Sequence, residues 1–186
     1  MKKLIAYFSP SGNTKAMAEK LAKATGADLF EIKPQTPYTR ADLDWTNKNS
    51  RSSVEMNDKS YRPQIAQLPN SLANYDTIFI GFPIWWYVAP TIINTFVENV
   101  DLDGKKVIPF ATSGGSGMGK TLANLKPSCP GANWVEGKVI NGMSEKSLAD
   151  WAEKLSFNKV KLCIGCMSVG AAEKTMTAHD RVILIG

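Results

Sequence analysis

Apolar and polar positions along this chain follow two rhythms that take turns. "KKLIAYFS" (2–9) is a continuous apolar run, the signature of a strand covered on both faces. "NTKAMAEKLAKAT" (13–25) has Met17 and Leu21, and Ala18 and Ala22, one helical turn apart, with Gly26 as its stop. "ADLFEIK" (27–33) is a second, short strand and "YDTIFIGFP" (75–83) a third. "PTIINTFVENV" (90–100) is a helix with Ile92, Phe96 and Val100 on one face. "KKVIPFATS" (105–113) is a fourth strand, a helix follows near 118–126, and "NWVEGKVI" (133–140) is a fifth strand. "SEKSLADWAEKL" (144–155) is a helix with Ser144 at its N-cap and Leu148, Trp151, Ala152 and Leu155 on its apolar face. Residues 33–75 break the rhythm. Pro34, Pro37, Pro63 and Pro69 stand among polar residues, which predicts an extended excursion with one helix somewhere in 41–58.

Strands alternating with helices predict an α/β fold, a doubly wound five-stranded parallel sheet. Such sheets bind ligands at the carboxyl ends of their strands, near the switch in strand order. The loops of interest are therefore 9–14, 83–90 and 112–119.

Composition narrows the classes. A chain of 186 residues, 44% hydrophobic, suits one domain with a full core and a small appendage. The net charge of +5 is not gathered into a basic block, so no nucleic-acid partner is expected. The first apolar run ends after Phe8, too short for a signal peptide, and no stretch reaches a membrane span. Three cysteines fit a reducing compartment. The expectation is a cytoplasmic protein with no membrane partner.

Three loops carry candidate chemistry. "SPSGNT" (9–14) joins strand to helix with short hydrogen-bonding side chains and one glycine, a phosphate site that needs no basic side chain. "GFPIWWYVAP" (81–90) sets two tryptophans and a tyrosine where the chain leaves the core. That cluster suits a planar ligand, a subunit interface (hence a homodimer), or packing under the 33–75 excursion. "GGSGMGKT" (114–121) matches the G-x-x-x-x-G-K-[ST] pattern of nucleotide-hydrolysing P-loops. It follows the fourth strand rather than the first, and none of the later apolar runs ends in an Asp for magnesium. Its glycines are better suited to bringing backbone against a flat ring. A receiver-type site is set aside because loops 9–14 and 83–87 hold no acidic residue.

Residues 1–155 resemble flavodoxin, specifically the short-chain, flavodoxin-like FMN-binding family. The resemblance lies in "YFSPSGNTKAMAEKLA", "DTIFIGFPIWWYVAPTIINTFVE" and "PFATSGGSGMG", in that order and spacing. It implies strand order 2-1-3-4-5 with FMN at the strand ends, over a 1–155 domain, with 156–186 as a C-terminal extension. It implies that Ser9, Ser11, Gly12, Asn13 and Thr14 hold the FMN phosphate. Pro83, Ile84, Trp85, Trp86 and Tyr87 would line the isoalloxazine. Thr112, Ser113, Gly114, Gly115, Ser116 and Gly117 would meet its other flank and pyrimidine edge. No catalytic side chain and no metal is required, because the flavin carries the chemistry.

Within that family the chain's positive charge is at odds with the acidic one-electron carriers, which dock on basic partners. The expected activity is an oxidoreductase taking hydride from NAD(P)H to a quinone or similar acceptor, with the one-electron carrier, served by a protein redox partner, as the alternative. One-electron carriers of the family commonly use a peptide flip beside a glycine. Pro83–Tyr87 contains no glycine, so β-branched Ile84 and the bulky aromatics are expected to resist such a flip, which favours two-electron, hydride-type chemistry. Trp45, from the excursion, is a candidate cover for the open ring face. Cys163 and Cys166 form a lone C-x-x-C, read as chance or as two buried, apolar-lining cysteines rather than a redox or metal site. His179 is read as a surface residue and "RVILIG" (181–186) as a candidate edge strand or a segment that pairs across a dimer.

Overall fold

The computed structural model describes residues 2–155. Cys163, Cys166, His179 and the 181–186 run lie outside these residues. The chain divides into two units, Met1–Leu148 and Ala149–Gly186. The sheet and the loops at its edge belong to the first.

The sheet contains β1 (Lys2–Tyr7), β2 (Asp28–Glu31), β3 (Tyr75–Pro83) and β4 (Lys106–Thr112). At its far side are two short pieces, β5 (Asn133–Trp134) and β6 (Lys138–Val139). The order is β2-β1-β3-β4-β5, with β6 also paired to β4, and every pairing is parallel. This is the expected order 2-1-3-4-5, with the expected fifth strand broken in two.

The break follows from Pro109. The carbonyls of Val107 and Ala111 accept from Val135 and Ile140, so alternate residues of β4 present their hydrogen-bonding groups to the fifth strand. Pro109 lies between them and has no N–H to give. The register slips by one residue across it, from Val107 opposite Trp134 to Phe110 opposite Lys138. That is a bulge, the accommodation a proline within a sheet requires. Gly137 falls in the bulge against the Pro109 carbonyl, where a Cβ would not fit.

Helix α1 (Asn13–Thr25) buries Met17, Ala18 and Leu21 and ends at Gly26 in the left-handed conformation. Helix α2 (Arg51–Asn57) is the one expected within the excursion, and Ser50 caps it. Helix α3 (Thr91–Glu98) buries Ile92, Ile93, Phe96 and Val97. Helix α4 (Thr121–Leu125) is only 5 residues long. Helix α5 spans 145–155, and the Ser144 hydroxyl accepts from Ser147 N–H at 3.2 Å, the expected cap. Ile5, Ile78, Ile80, Phe82 and Phe110 fill the centre of the sheet at 0% exposure. Among the described residues no helix is long and apolar enough to cross a membrane.

The excursion is tied down by a buried carboxylate. Glu55 is 2% exposed, accepts from Tyr38 Oη at 2.5 Å and from Arg51 Nε at 2.7 Å, and so keeps its charge compensated. The Arg51 guanidinium also lies over the Tyr38 ring at 4.0 Å. Burial, then the hydrogen bond to Glu55, pushes the Tyr38 phenol far above its usual range.

Candidate functional site

The loops after β1, β3 and β4 converge at the carboxyl edge of the sheet around a cleft of about 550 Å³. Ser11 and Asn13 line it from the first loop, Pro83, Ile84 and Trp85 from the second, and Thr112, Ser113 and Gly114 from the third. Eight of the sixteen expected residues thus meet around one space.

The first loop presents a run of unpaired backbone donors. Gly12 is left-handed (φ 84°), and where its Cβ would stand there is open space. Among the described residues the backbone N–H groups of Ser11, Gly12, Asn13 and Thr14 have no hydrogen-bond partner. They form the amino end of a 13-residue helix, where the peptide dipoles favour negative charge. Two hydroxyls are already engaged. Ser9 Oγ accepts from Lys15 N–H at 2.9 Å and so caps the helix. Thr14 is 1% exposed and its hydroxyl pairs with that of Thr112 at 2.8 Å, joining the first loop to the third.

The second loop departs from expectation. Trp85 and Val88 exchange two backbone hydrogen bonds of 3.0 Å, closing a two-residue hairpin turn. Its central residues, Trp86 (φ 44°) and Tyr87 (φ 66°), are both left-handed. Bulky residues without glycine thus do take positive φ here, so the premise behind the expected resistance to a flip does not hold. The hairpin geometry demands left-handed residues, and the anchoring of Trp85 overrides local preference. Trp85 makes edge contacts with Phe8 (5.6 Å) and Tyr38 (5.6 Å), so it packs under the excursion as well as lining the cleft. Trp86 and Tyr87 face a different cleft and are 42% and 71% exposed.

In the third loop, Gly115, Ser116 and Gly117 fall outside the cleft lining. The N–H groups of Gly115 and Ser116 are taken by Ser113 Oγ at 3.2 and 2.7 Å. Sequence reasoning missed the residue that holds this loop. Asn141 donates from Nδ2 to Ser113 C=O at 2.6 Å and accepts Ser113 N–H on Oδ1 at 2.9 Å, a two-point clamp. It also missed Met17 and Lys20 of α1, which line the cleft with Asn141 and Gly142. The Asn-Gly turn signal at 141–142, at the end of the fifth strand, was the available clue. Trp45 stands 75% exposed and lines a separate hollow with Pro10, Tyr38 and Arg40.

The P-loop reading fails on geometry. Thr121, which would have to reach a magnesium ion, is 0% exposed, and the helix it opens is too short to form an anion site. Among the described residues no cluster of metal-ligating side chains occurs.

A doubly wound parallel sheet with orphan donors after its first strand and an aromatic loop after its third defines the class of flavodoxin-like α/β proteins. A family model described as flavodoxin matches residues 2–155, and the chain belongs to that FMN-binding family. A candidate flavoprotein from Bacteroides eggerthii shares 52% identity over 83% of this chain and 98% of its own, with a TM-score of 0.80. A flavoprotein from Lactobacillus acidophilus, solved in complex with FMN, shares 29% identity over 74% of this chain and 92% of its own, with a TM-score of 0.58. The uncharacterised NAD(P)H oxidoreductase YcaK of Escherichia coli is 30% identical over 98 residues. That match spans 52% of this chain and 45% of the relative, less than half its length.

Proposed function

We propose that this protein is an FMN-dependent oxidoreductase that takes hydride from NAD(P)H and delivers it to a quinone or similar acceptor. The observation that carries the reading is the set of four N–H groups at the head of α1, unpartnered among the described residues, beside a cleft with an aromatic wall. Bound there, FMN supplies the hydride chemistry. The chain's own residues do the rest. Ser11 to Thr14 offer donors to a phosphate dianion. Ser9, by taking Lys15 N–H, holds the helix start in place. Trp85, wedged between Phe8 and Tyr38, gives the ring a rigid edge. Asn141 fixes Ser113 so that the adjoining Gly114 backbone stays free to meet the ring's polar rim. The name of the relative YcaK supports a nicotinamide donor.

A second reading, the one-electron carrier, is favoured by one observation. Trp86 and Tyr87 already take positive φ, so the lack of glycine does not keep left-handed backbone out of the Pro83–Tyr87 loop.

The experiment is to purify the protein, release its flavin by denaturation and identify it by chromatography. NADH and NADPH oxidation are then followed with a soluble quinone. Bound FMN with quinone-dependent nicotinamide oxidation is the expected result. Bound FMN without oxidation of either nucleotide leaves the carrier. Failure to bind FMN overturns both readings.

A further inference from the structure

The 85–88 hairpin and the glycine loop after β4 form a wall, and both have a second side. There a separate cleft of about 610 Å³ opens between α3, α4 and the segment after α2. Ile84 and Trp85 serve the flavin cleft while Trp86 and Tyr87 serve this one. Likewise Gly114 faces the first and Gly119 and Lys120 the second. Gly119, left-handed at φ 50°, lies against the Tyr87 carbonyl where no Cβ would fit, so the wall is closely packed.

The chemistry of this cleft is specific. Ala89 (5% exposed) and Leu125 (0%) give it an apolar floor. Trp86 and Tyr87 offer exposed aromatic surface at its rim. Arg62 also lines it, but its charge is matched by Glu98 through bonds of 2.8 and 2.9 Å. Lys59 and Lys120 are different: among the described residues no ion pair engages either ammonium. No carboxylate among the described residues lines the cleft, so two cations stand uncompensated beside aromatic rings. Asn94 spends its Nδ2 on Ser128 Oγ at 3.0 Å, leaving Oδ1 as an acceptor for a ring amine. Thr91 is 6% exposed and its hydroxyl has no partner among the described residues.

We propose that this second cleft binds a phosphorylated adenosine, its base against the Trp86–Tyr87 rim and its phosphate between Lys59 and Lys120. Two cations match a phosphate dianion, and exposed aromatic rings beside an apolar floor match a planar base. The cleft would hold the phosphate-bearing half of a dinucleotide whose other half reaches the flavin across the shared wall, an assignment that rests on the nicotinamide-donor reading above. Lys120 then has a role that the P-loop pattern did not reveal: it holds a nucleotide without magnesium and outside any P-loop.

The test uses full-length, FMN-saturated protein titrated calorimetrically with adenosine 2′,5′-bisphosphate, adenosine and inorganic phosphate, all without magnesium. The bisphosphate is expected to bind, with adenosine and phosphate each weaker by about tenfold or more. The Lys59→Ala/Lys120→Ala double variant is expected to lose about tenfold or more in bisphosphate affinity while keeping its FMN content, which reports correct folding. Added salt should weaken the wild type and narrow its gap from the variant. No bisphosphate binding at about millimolar concentration overturns the proposal, as does equal affinity in the double variant or binding that requires magnesium. NADPH oxidation without bisphosphate binding sinks the cleft and spares the donor reading. Bisphosphate binding without oxidation of NADH or NADPH does the reverse.

Discussion

The loop after β1 and the loop after β3 both turn through left-handed backbone, and they do so with opposite residues. In the first, the left-handed position is Gly12, which has no Cβ to clash. In the second, the left-handed positions are Trp86 and Tyr87, at the centre of a turn that usually takes Asn-Gly. The first loop follows local preference and leaves its N–H groups open. The second is held against preference by tertiary packing, with Phe8 and Tyr38 gripping Trp85 and Gly119 backing Tyr87. Local rule-breaking of this kind persists only where the surroundings over-determine the conformation.

The strongest way to break this comparison is to remove the grip. Trp85→Ala should cost about 3 kcal/mol of stability, the low end for a large aromatic because Trp85 is half-buried. Urea denaturation of the apo-protein measures it. A loss confined to FMN affinity would mean that Trp85 serves the ligand and does not hold the hairpin.

Smaller and opposite effects should come from exchanging the residue types. Gly12→Ala forces a Cβ into left-handed backbone and should destabilise by about 1–2 kcal/mol. Tyr87→Gly relieves that same strain at an exposed position and should stabilise by about 0.5–1 kcal/mol. Thermal melts of the two variants read both signs. Equal signs would show that the strain is not local to the hairpin.

The smallest effect concerns an ion pair beside the second cleft. Arg62, within the excursion, pairs with Glu98 at the end of α3, and Ser128 adds a bond of 2.6 Å. The Arg62 hydrogen bond, more than Ser128, holds the Glu98 carboxyl below its usual range. A carboxylate lowered on folding stabilises the native state above its unfolded pKa and loses that contribution as pH falls through the folded value. Arg62→Gln should therefore lower stability by at most about 1 kcal/mol at neutral pH, and the difference should vanish in acid below the normal carboxylate range. Melting temperatures of both proteins against pH would show the curves converge.

Long apolar runs made most of the fold legible. The run 75–83 became β3 at the residues expected, and the 13–25 periodicity became α1 with Gly26 at its end. The fifth strand was legible in existence but not in form. Its break is caused by Pro109 on a neighbouring strand, a long-range effect no window over 133–140 contains. The site was half legible for a related reason. Ser11, Asn13, Ile84, Trp85 and Thr112 stand at strand ends, and topology alone brings them together. Which way Trp86 and Tyr87 face depends on a hairpin closed by Val88, and which loop Asn141 clamps depends on side-chain bonds 28 residues away in sequence.

The proline in β4 also has a consequence for how copies of the protein meet in a crowded solution. An outer strand with a long unbroken row of free N–H and C=O groups is a template on which another chain can add a strand. Among the described residues the outer strand beside β4 is two fragments of 2 residues each, offset from one another by a bulge. A second copy arriving there finds no uninterrupted ladder, because its register with one fragment is lost at the other. Among the described residues Pro109 thus interrupts, from inside the sheet, the ladder on which another chain could add a strand.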